Sequence, residues 1–152
     1  MSKRILTSIF LILVVTLTVS AQRTDEQEGA KVPAYNKMPP AKGARLPPIL
    51  AKEELWGENA QSPFQTHAYE LASKIPAVIH QMPCYCYCDR MGHNSLHSCF
   101  EGTHGAQCNV GMKELYYTYS EKKKGKTVAQ IRKGIIAGEW KSVTPEEAAA
   151  LN

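Results

Sequence analysis

All five cysteines of this 152-residue chain, and three of its five histidines, fall between Met82 and Cys108. The thiols are Cys84, Cys86, Cys88, Cys99 and Cys108, and the imidazoles are His93, His97 and His104. Thiolate and imidazole are soft to borderline donors. They suit Zn(II) or Cu(I) and discriminate against calcium and magnesium, which want oxygen. The same sulfurs can instead pair as disulfides or exchange electrons with a thiol partner. Five is an odd count, so even two disulfides leave one sulfur over.

The spacing narrows the geometry. If the chain is extended over Cys-Tyr-Cys-Tyr-Cys, side chains alternate. Cys84, Cys86 and Cys88 then share one face, and Tyr85 and Tyr87 point the other way. Such a triplet suits a trigonal or tetrahedral thiolate site completed by Cys99 or Cys108, with a histidine able to replace a sulfur. Gly92 and Asn94 predict a turn that brings a helix over Ser95 to Phe100 back toward the cysteines. In that helix His93 and His97, four apart, lie on one face. Cys108 just precedes a helix through Met112. Its thiolate should be stabilised by the helix N-terminus, making it the expected low-pKa, reactive or metal-bound sulfur. The plainer alternative pairs it in a disulfide with the 84–88 segment. His80 is a second-tier ligand candidate, and His67 reads as an ordinary helix histidine.

The elements that must carry these groups are mainly α-helical. Ser62-Pro63-Phe64-Gln65 reads as a capping box with proline at the first helical position. Phe64, Ala68, Leu71, Ala72 and Ile75 then line one face until Pro76. Ala77 to Met82 is short and apolar, an extended segment or a single turn. After the cysteines, Met112, Leu115, Tyr116 and Tyr119 form an apolar stripe at helical spacing. Lys122 to Lys124 and Gly125 read as a solvated helix end with a left-handed cap. Thr127 to Gln130 is a second capping box, and Val128, Ile131, Ile135 and Trp140 give the next helix a buried face. The short turn between the two makes an antiparallel helix hairpin. Thr144-Pro145-Glu146-Glu147 opens a last alanine-rich helix.

Residues 1–21 read as a secretory signal peptide. Lys3 and Arg4 precede an apolar run from Ile5 to Val19, and Val19-Ser20-Ala21 offers cleavage before Gln22. The run is short and broken by hydroxyls, so an uncleaved membrane anchor is the lesser reading. No cysteine follows the cleavage site to carry a lipid. Residues 22–61 read as a tether, with five of nine prolines between Pro33 and Pro48. Within it Ile49 to Trp56 is expected as a helical turn docking by Leu50, Leu55 and Trp56. The ordered domain is expected over residues 62–142, with a short helix or tail over 143–152. Removing Lys3 and Arg4 from 18 basic residues leaves 16 against 14 acidic ones, a balance that does not argue for nucleic acid or an anionic surface. No nucleotide loop, carboxylate pair or nucleophile elbow is visible, so enzymatic chemistry beyond thiol redox is not indicated.

Met82-Pro-Cys-Tyr-Cys-Tyr-Cys-Asp89, then His93-Asn-Ser-Leu-x-x-Cys-Phe100 and His104-Gly-x-x-Cys108, resembles the bacterial CYCxC family. That group is also described by a PCYCGC motif, and some members are selenoproteins. The resemblance spans about Lys74 to Trp140. It implies an exported bacterial protein, periplasmic or extracellular, and no specific activity, since the family's biochemical role is not established. Many members carry a lipobox cysteine that this chain lacks. Members also tend to have Cys-x-x-Cys after His-Gly, where this chain has Gly111, and often have glycine at the position of Tyr87. Gly125-Lys-Thr-x-x-x-Ile-Arg132 is similar to a turn in cytochrome c maturation thiol oxidoreductases.

Three functions follow, in order of preference. The first is extracytoplasmic binding of a thiophilic metal ion, Cu(I) or Zn, through Cys84, Cys86, Cys88, Cys99 and Cys108, with His93, His97 and His104 as further candidates. The second is thiol-disulfide exchange with an extracytoplasmic thiol partner through Cys84, Cys86, Cys88 and Cys108. The third is a disulfide-stapled interaction module.

Overall fold

A computed structural model of the chain describes residues 31–151. The expected signal peptide and the first part of the tether lie outside the described residues. From Val32 onward the chain forms one unit, all helical with connecting turns and loops. The helices are α1 (Pro63–Lys74), α2 (Pro76–Ile79), α3 (His104–Gln107), α4 (Asn109–Lys123), α5 (Val128–Ile136) and α6 (Pro145–Leu151). Short 3-10 turns fill the gaps at Lys52–Glu54, Gly57–Ala60, Cys88–Met91, Leu96–Phe100 and Glu139–Ser142. No helix among the described residues is long and apolar enough to cross a membrane.

The expected start signals act as read. The Gln65 side chain accepts the Ser62 backbone N–H at 2.8 Å, and Pro63 occupies the first turn, where its missing donor costs nothing. At α5 the box is reciprocal. Gln130 N–H donates to Thr127 Oγ1 at 3.3 Å, and Gln130 Oε1 accepts the Thr127 N–H at 2.9 Å. The end of α4 is a Schellman cap. Gly125 takes φ 83°, its N–H reaching Lys122 C=O at 3.0 Å while Lys126 N–H reaches Glu121 C=O at 3.1 Å.

Helix α4 is the centre of the fold. It packs on α1 and α6 to one side and on α5 and the Glu139–Ser142 turn to the other. That double cover buries more than the predicted stripe. Besides Met112, Leu115 and Tyr116, it encloses Glu114, Tyr117, Thr118 and Glu121. The core is completed by Tyr69 and Leu71 of α1, Ile79, Met82, Leu96, Phe100, Ile131 and Ile135. Each of these large apolar side chains contributes about 1.5–3 kcal/mol by leaving water.

Residues 32–61 differ from the expected spacer. They run along the helical body as a strap. Leu50 N–H donates to Phe100 C=O at 2.9 Å, Leu55 is buried, and Asn36 Nδ2 donates to His80 C=O at 3.0 Å. The Arg132 guanidinium lies over the Tyr35 ring at 5.0 Å. Prolines here satisfy a segment that bonds through side chains and a few amides rather than a ladder. Of the three residues expected to dock, Leu55 is buried and Leu50 packs against the core, whereas Trp56 is 79% exposed.

Candidate metal centre

The cysteine segment is held at three points. Leu96 N–H donates to Met82 C=O at 2.9 Å and closes the 82–96 loop at its base. The Tyr85 N–H donates to Glu114 Oε1 at 2.8 Å, tying the first cysteines to α4. The Tyr69 hydroxyl donates to Gly102 C=O at 2.7 Å and accepts the Ala106 N–H at 3.0 Å, while Gln65 Nε2 reaches Ala106 C=O at 2.8 Å. Those contacts fix α3, and with it His104 and Cys108. Gly105 is required there, because a Cβ would stand 2.7 Å from Cys99 C=O and 2.9 Å from the Phe100 ring.

Between Cys84 and Cys88 the chain is not extended. Tyr87 N–H returns to Cys84 C=O at 3.2 Å in a tight turn, and Tyr87 itself sits at φ 55°, ψ 31°. The alternation argument therefore fails, yet the sulfurs still meet, because the turn curls them around Cys86. Cys86 Sγ lies 2.9 Å from both Cys84 Sγ and Cys88 Sγ. Cys99 Sγ is 3.7 Å from Cys84 Sγ, and Cys108 Sγ lies within 4.8 Å of Cys86 Sγ and, like Cys84 Sγ, against Gly111. Cys88 Sγ is 3.1 Å from His104 Nε2, and Cys99 Sγ is 3.5 Å from His93 Nδ1. All five cysteines are free thiols, so the disulfide staple expected as a third possibility is absent.

The donor atoms form three overlapping triads, each within 4.8 Å: Cys84, Cys86 and Cys99; Cys86, His104 and Cys108; Cys88, His93 and His104. Cys84, Cys88 and Cys99 are buried, Cys86, Cys108 and His93 are half-buried, and His104 is exposed. Pro33 and Ala34 of the strap lie against Cys84, Cys88 and His93 from outside. These Cys and His groups can hold a metal ion.

Two expectations about site residues are corrected. His97 does not join the cluster. It follows the Leu96–Phe100 turn into the interior, where its Nδ1 meets Glu101 Oε1 at 2.9 Å and its ring faces His80 at 6.3 Å. The 3-10 geometry and the preceding bend remove the shared helical face with His93. Cys108 does cap α4, accepting the Gly111 N–H at 3.3 Å, but it is not the low-pKa thiol. Hydrogen bonding with Cys84 favours its thiolate; Cys86 alongside and burial outweigh that and raise its pKa. The thiolate-favoured sulfur is Cys86, whose pKa is lowered by hydrogen bonding with the surrounding thiols of Cys108, Cys84 and Cys99. Burial and then Cys86 push Cys88 up to about 12.

Glu114 escaped sequence reasoning. It is fully buried and behind Cys84, and burial raises its carboxyl pKa to about 8. One oxygen holds the Tyr85 amide, and the other has no hydrogen-bond partner. Its signal in the sequence was faint: it falls on a second stripe of α4 with Gly111, Thr118 and Glu121, reading as polar. His67 and His80 keep structural roles, His67 beside the Tyr116 hydroxyl at 3.1 Å and His80 beside Asn36.

No family model matches the sequence, and no curated protein or solved structure matches it.

Proposed function

We propose that this chain is an extracytoplasmic protein that binds a thiophilic metal ion, Zn(II) or Cu(I), through its cysteine cluster. The observation that carries the reading is the gathering of five free thiols and two imidazoles into one cluster of overlapping triads, two of which share Cys86. The donor set fits such an ion. Tetrahedral zinc with Zn–S near 2.3 Å has S···S edges of about 3.8 Å. The Cys84–Cys99 separation of 3.7 Å already matches that edge. The 2.9 Å pairs around Cys86 would open by about 0.9 Å, which a surface turn can supply. Cys84, Cys86, Cys99 and Cys108 would hold the ion. Buried thiolates without a countercharge are costly, and a bound cation offsets that cost.

The proposal includes export, with the mature chain beginning at Gln22, and membership of the CYCxC group. N-terminal sequencing of protein from native cells should read from Gln22; a start at Ser2 would remove the extracytoplasmic part.

A redox reading has one observation in its favour. Cys86 is half-buried and thiolate-favoured, with two thiols 2.9 Å away that could resolve a mixed disulfide. Thermal unfolding under strict reduction separates the two. With Zn(II) or Cu(I) added, the native chain should gain several kcal/mol, and Cys86→Ser should gain much less. An unchanged Tm of the native chain on adding metal would refute metal binding and leave thiol exchange as the function.

A further inference from the structure

Seven donors are more than one ion can use. A tetrahedral ion takes four ligands, and the cluster offers Cys84, Cys86, Cys88, Cys99, Cys108, His93 and His104. They are also not grouped around one centre. They fall into three triads that run from the buried thiols to the exposed imidazole. Resting on the metal-binding reading above, we propose that the cluster is a two-ion centre in which the Cys86 thiolate bridges a deep ion and a rim ion.

The partition follows from what each donor can do. Two residues recur among the triads, Cys86 and His104. A thiolate sulfur has several lone pairs and can bind two ions. A neutral imidazole offers one lone pair at one nitrogen and cannot. The bridge is therefore Cys86, and His104 belongs to a single ion. Its Nε2 lies 3.1 Å from Cys88 Sγ, which assigns it to the side of Cys88 and His93. The triad of Cys86, His104 and Cys108 is thereby divided, His104 to the rim and Cys108 inward, where its sulfur and that of Cys84 both face Gly111, at 3.5 and 3.8 Å from the position of a Cβ there. The deep ion has Cys84, Cys86, Cys99 and Cys108. The rim ion has Cys86, Cys88, His93 and His104. Two shells of four sharing one ligand use all seven donors and leave none over.

Charge points the same way. One divalent ion among five thiolates leaves three negative charges in a largely buried site, whereas two leave one. Both shells, four sulfurs and two sulfurs with two nitrogens, are ligand sets that zinc takes. The rim shell carries the solvent-facing imidazole, so the rim ion should exchange more readily than the deep one.

The test uses the full reduced chain. Native mass spectrometry with Zn(II) should show two ions bound, and cadmium NMR of the cadmium-loaded chain should show two resonances split by mutual coupling through the shared sulfur. His104→Ala truncates an exposed ring, so the fold should persist by circular dichroism; it should keep one ion and lose the coupling. Cys88→Ser should do the same. Cys86→Ser should weaken both ions together. One ion on the native chain would overturn the two-ion centre and leave the metal-binding function intact, whereas none would overturn both. Two resonances without coupling, or two tightly held ions in His104→Ala, would refute the bridge or the rim shell respectively.

Discussion

The helix hairpin of α4 and α5 and the loop from Met82 to Cys108 are built on opposite principles. The hairpin is regular, capped at both ends and closed by apolar burial, with Leu115, Ile131 and Ile135 removed from water. The loop has short turns, the four residues of α3, a left-handed tyrosine and a knot of sulfurs drawn closer than ordinary non-bonded contact. The hairpin draws its stability from its apolar burial and from the cover of α1 and α6 on α4. The loop brings together groups whose mutual repulsion as thiolates grows with pH, and it is supported from behind by α4. Scaffold and site are thus separable in what stabilises them, and that separation can be attacked.

The largest effect should come from the scaffold. Leu115→Ala removes a fully buried side chain of α4 and should cost about 2–5 kcal/mol. If scaffold and site are independent, that loss is the same with and without added Zn(II), measured by urea unfolding of the reduced chain. A loss that vanishes on adding metal would mean the ion, not the core, organises α4.

Gly105→Ala attacks the junction between the two regions. The added methyl meets Cys99 C=O and the Phe100 ring, both held in the core, so α3 must shift. Overpacking of this kind costs about 1–3 kcal/mol. Since α3 carries His104 and Cys108, zinc affinity should fall as well. Unchanged affinity with lowered stability would show that the site tolerates displacement of α3.

How much of this was legible in the sequence divides along the same line. The hairpin was readable because its determinants are local: Thr127 and Gln130 are three apart, and Ile131 and Ile135 are four apart. The loop was not. Glu114 anchors Tyr85 across twenty-nine positions, and nothing near either residue announces the pair. The curl of Cys84 to Cys88 depends on a tyrosine in a conformation that tyrosine seldom takes, so alternation was the natural and incorrect reading. His97 leaves the face of His93 because Leu96–Phe100 is a 3-10 turn entered from an extended Ser95, not the α-helix that an i, i+4 pairing assumes. The sulfurs were correctly grouped because their density alone constrains them, whatever the backbone does. The strap was misread because proline content reports the absence of regular structure, not the absence of contacts such as that of Leu50 with Phe100.

Glu114 gives the comparison a pH dependence. Its carboxyl is raised from 4.5 to about 8 by burial, so between those values the folded chain holds a proton that the unfolded chain has released. Unfolding stability therefore falls as pH rises through this window, by up to about 1.4 kcal/mol per unit, and the loss is complete above pH 8. Glu114→Gln keeps an oxygen for the Tyr85 N–H and does not ionise. The reduced, metal-free variant should show a flatter stability profile from pH 5 to 8 than the native chain. Parallel profiles would mean that Glu114 keeps its charge in the folded state, compensated by the loop.

The smallest effect belongs to Tyr87, the only non-glycine among the described residues with positive φ. An L-residue with a Cβ loses about 1–2 kcal/mol in that region relative to its preferred one, and a β-branched side chain fares worse. Glycine removes the clash but forfeits the edge-to-face contact of Tyr87 with Tyr85, at a centroid distance of 6.0 Å, and adds chain entropy to the unfolded state. These terms nearly cancel, so Tyr87→Gly should change stability by less than about 1 kcal/mol and leave the number of bound ions unaltered. Tyr87→Val keeps a Cβ, branches it and loses the ring contact, so it should fall below Tyr87→Gly by about 1–2 kcal/mol. It should also bind zinc less tightly, because the turn that places Cys88 beside Cys86 would open. The pair isolates backbone from side chain: equal stabilities for the two variants would show that the curl is imposed by the sulfurs and their ligands, with the conformation of residue 87 following.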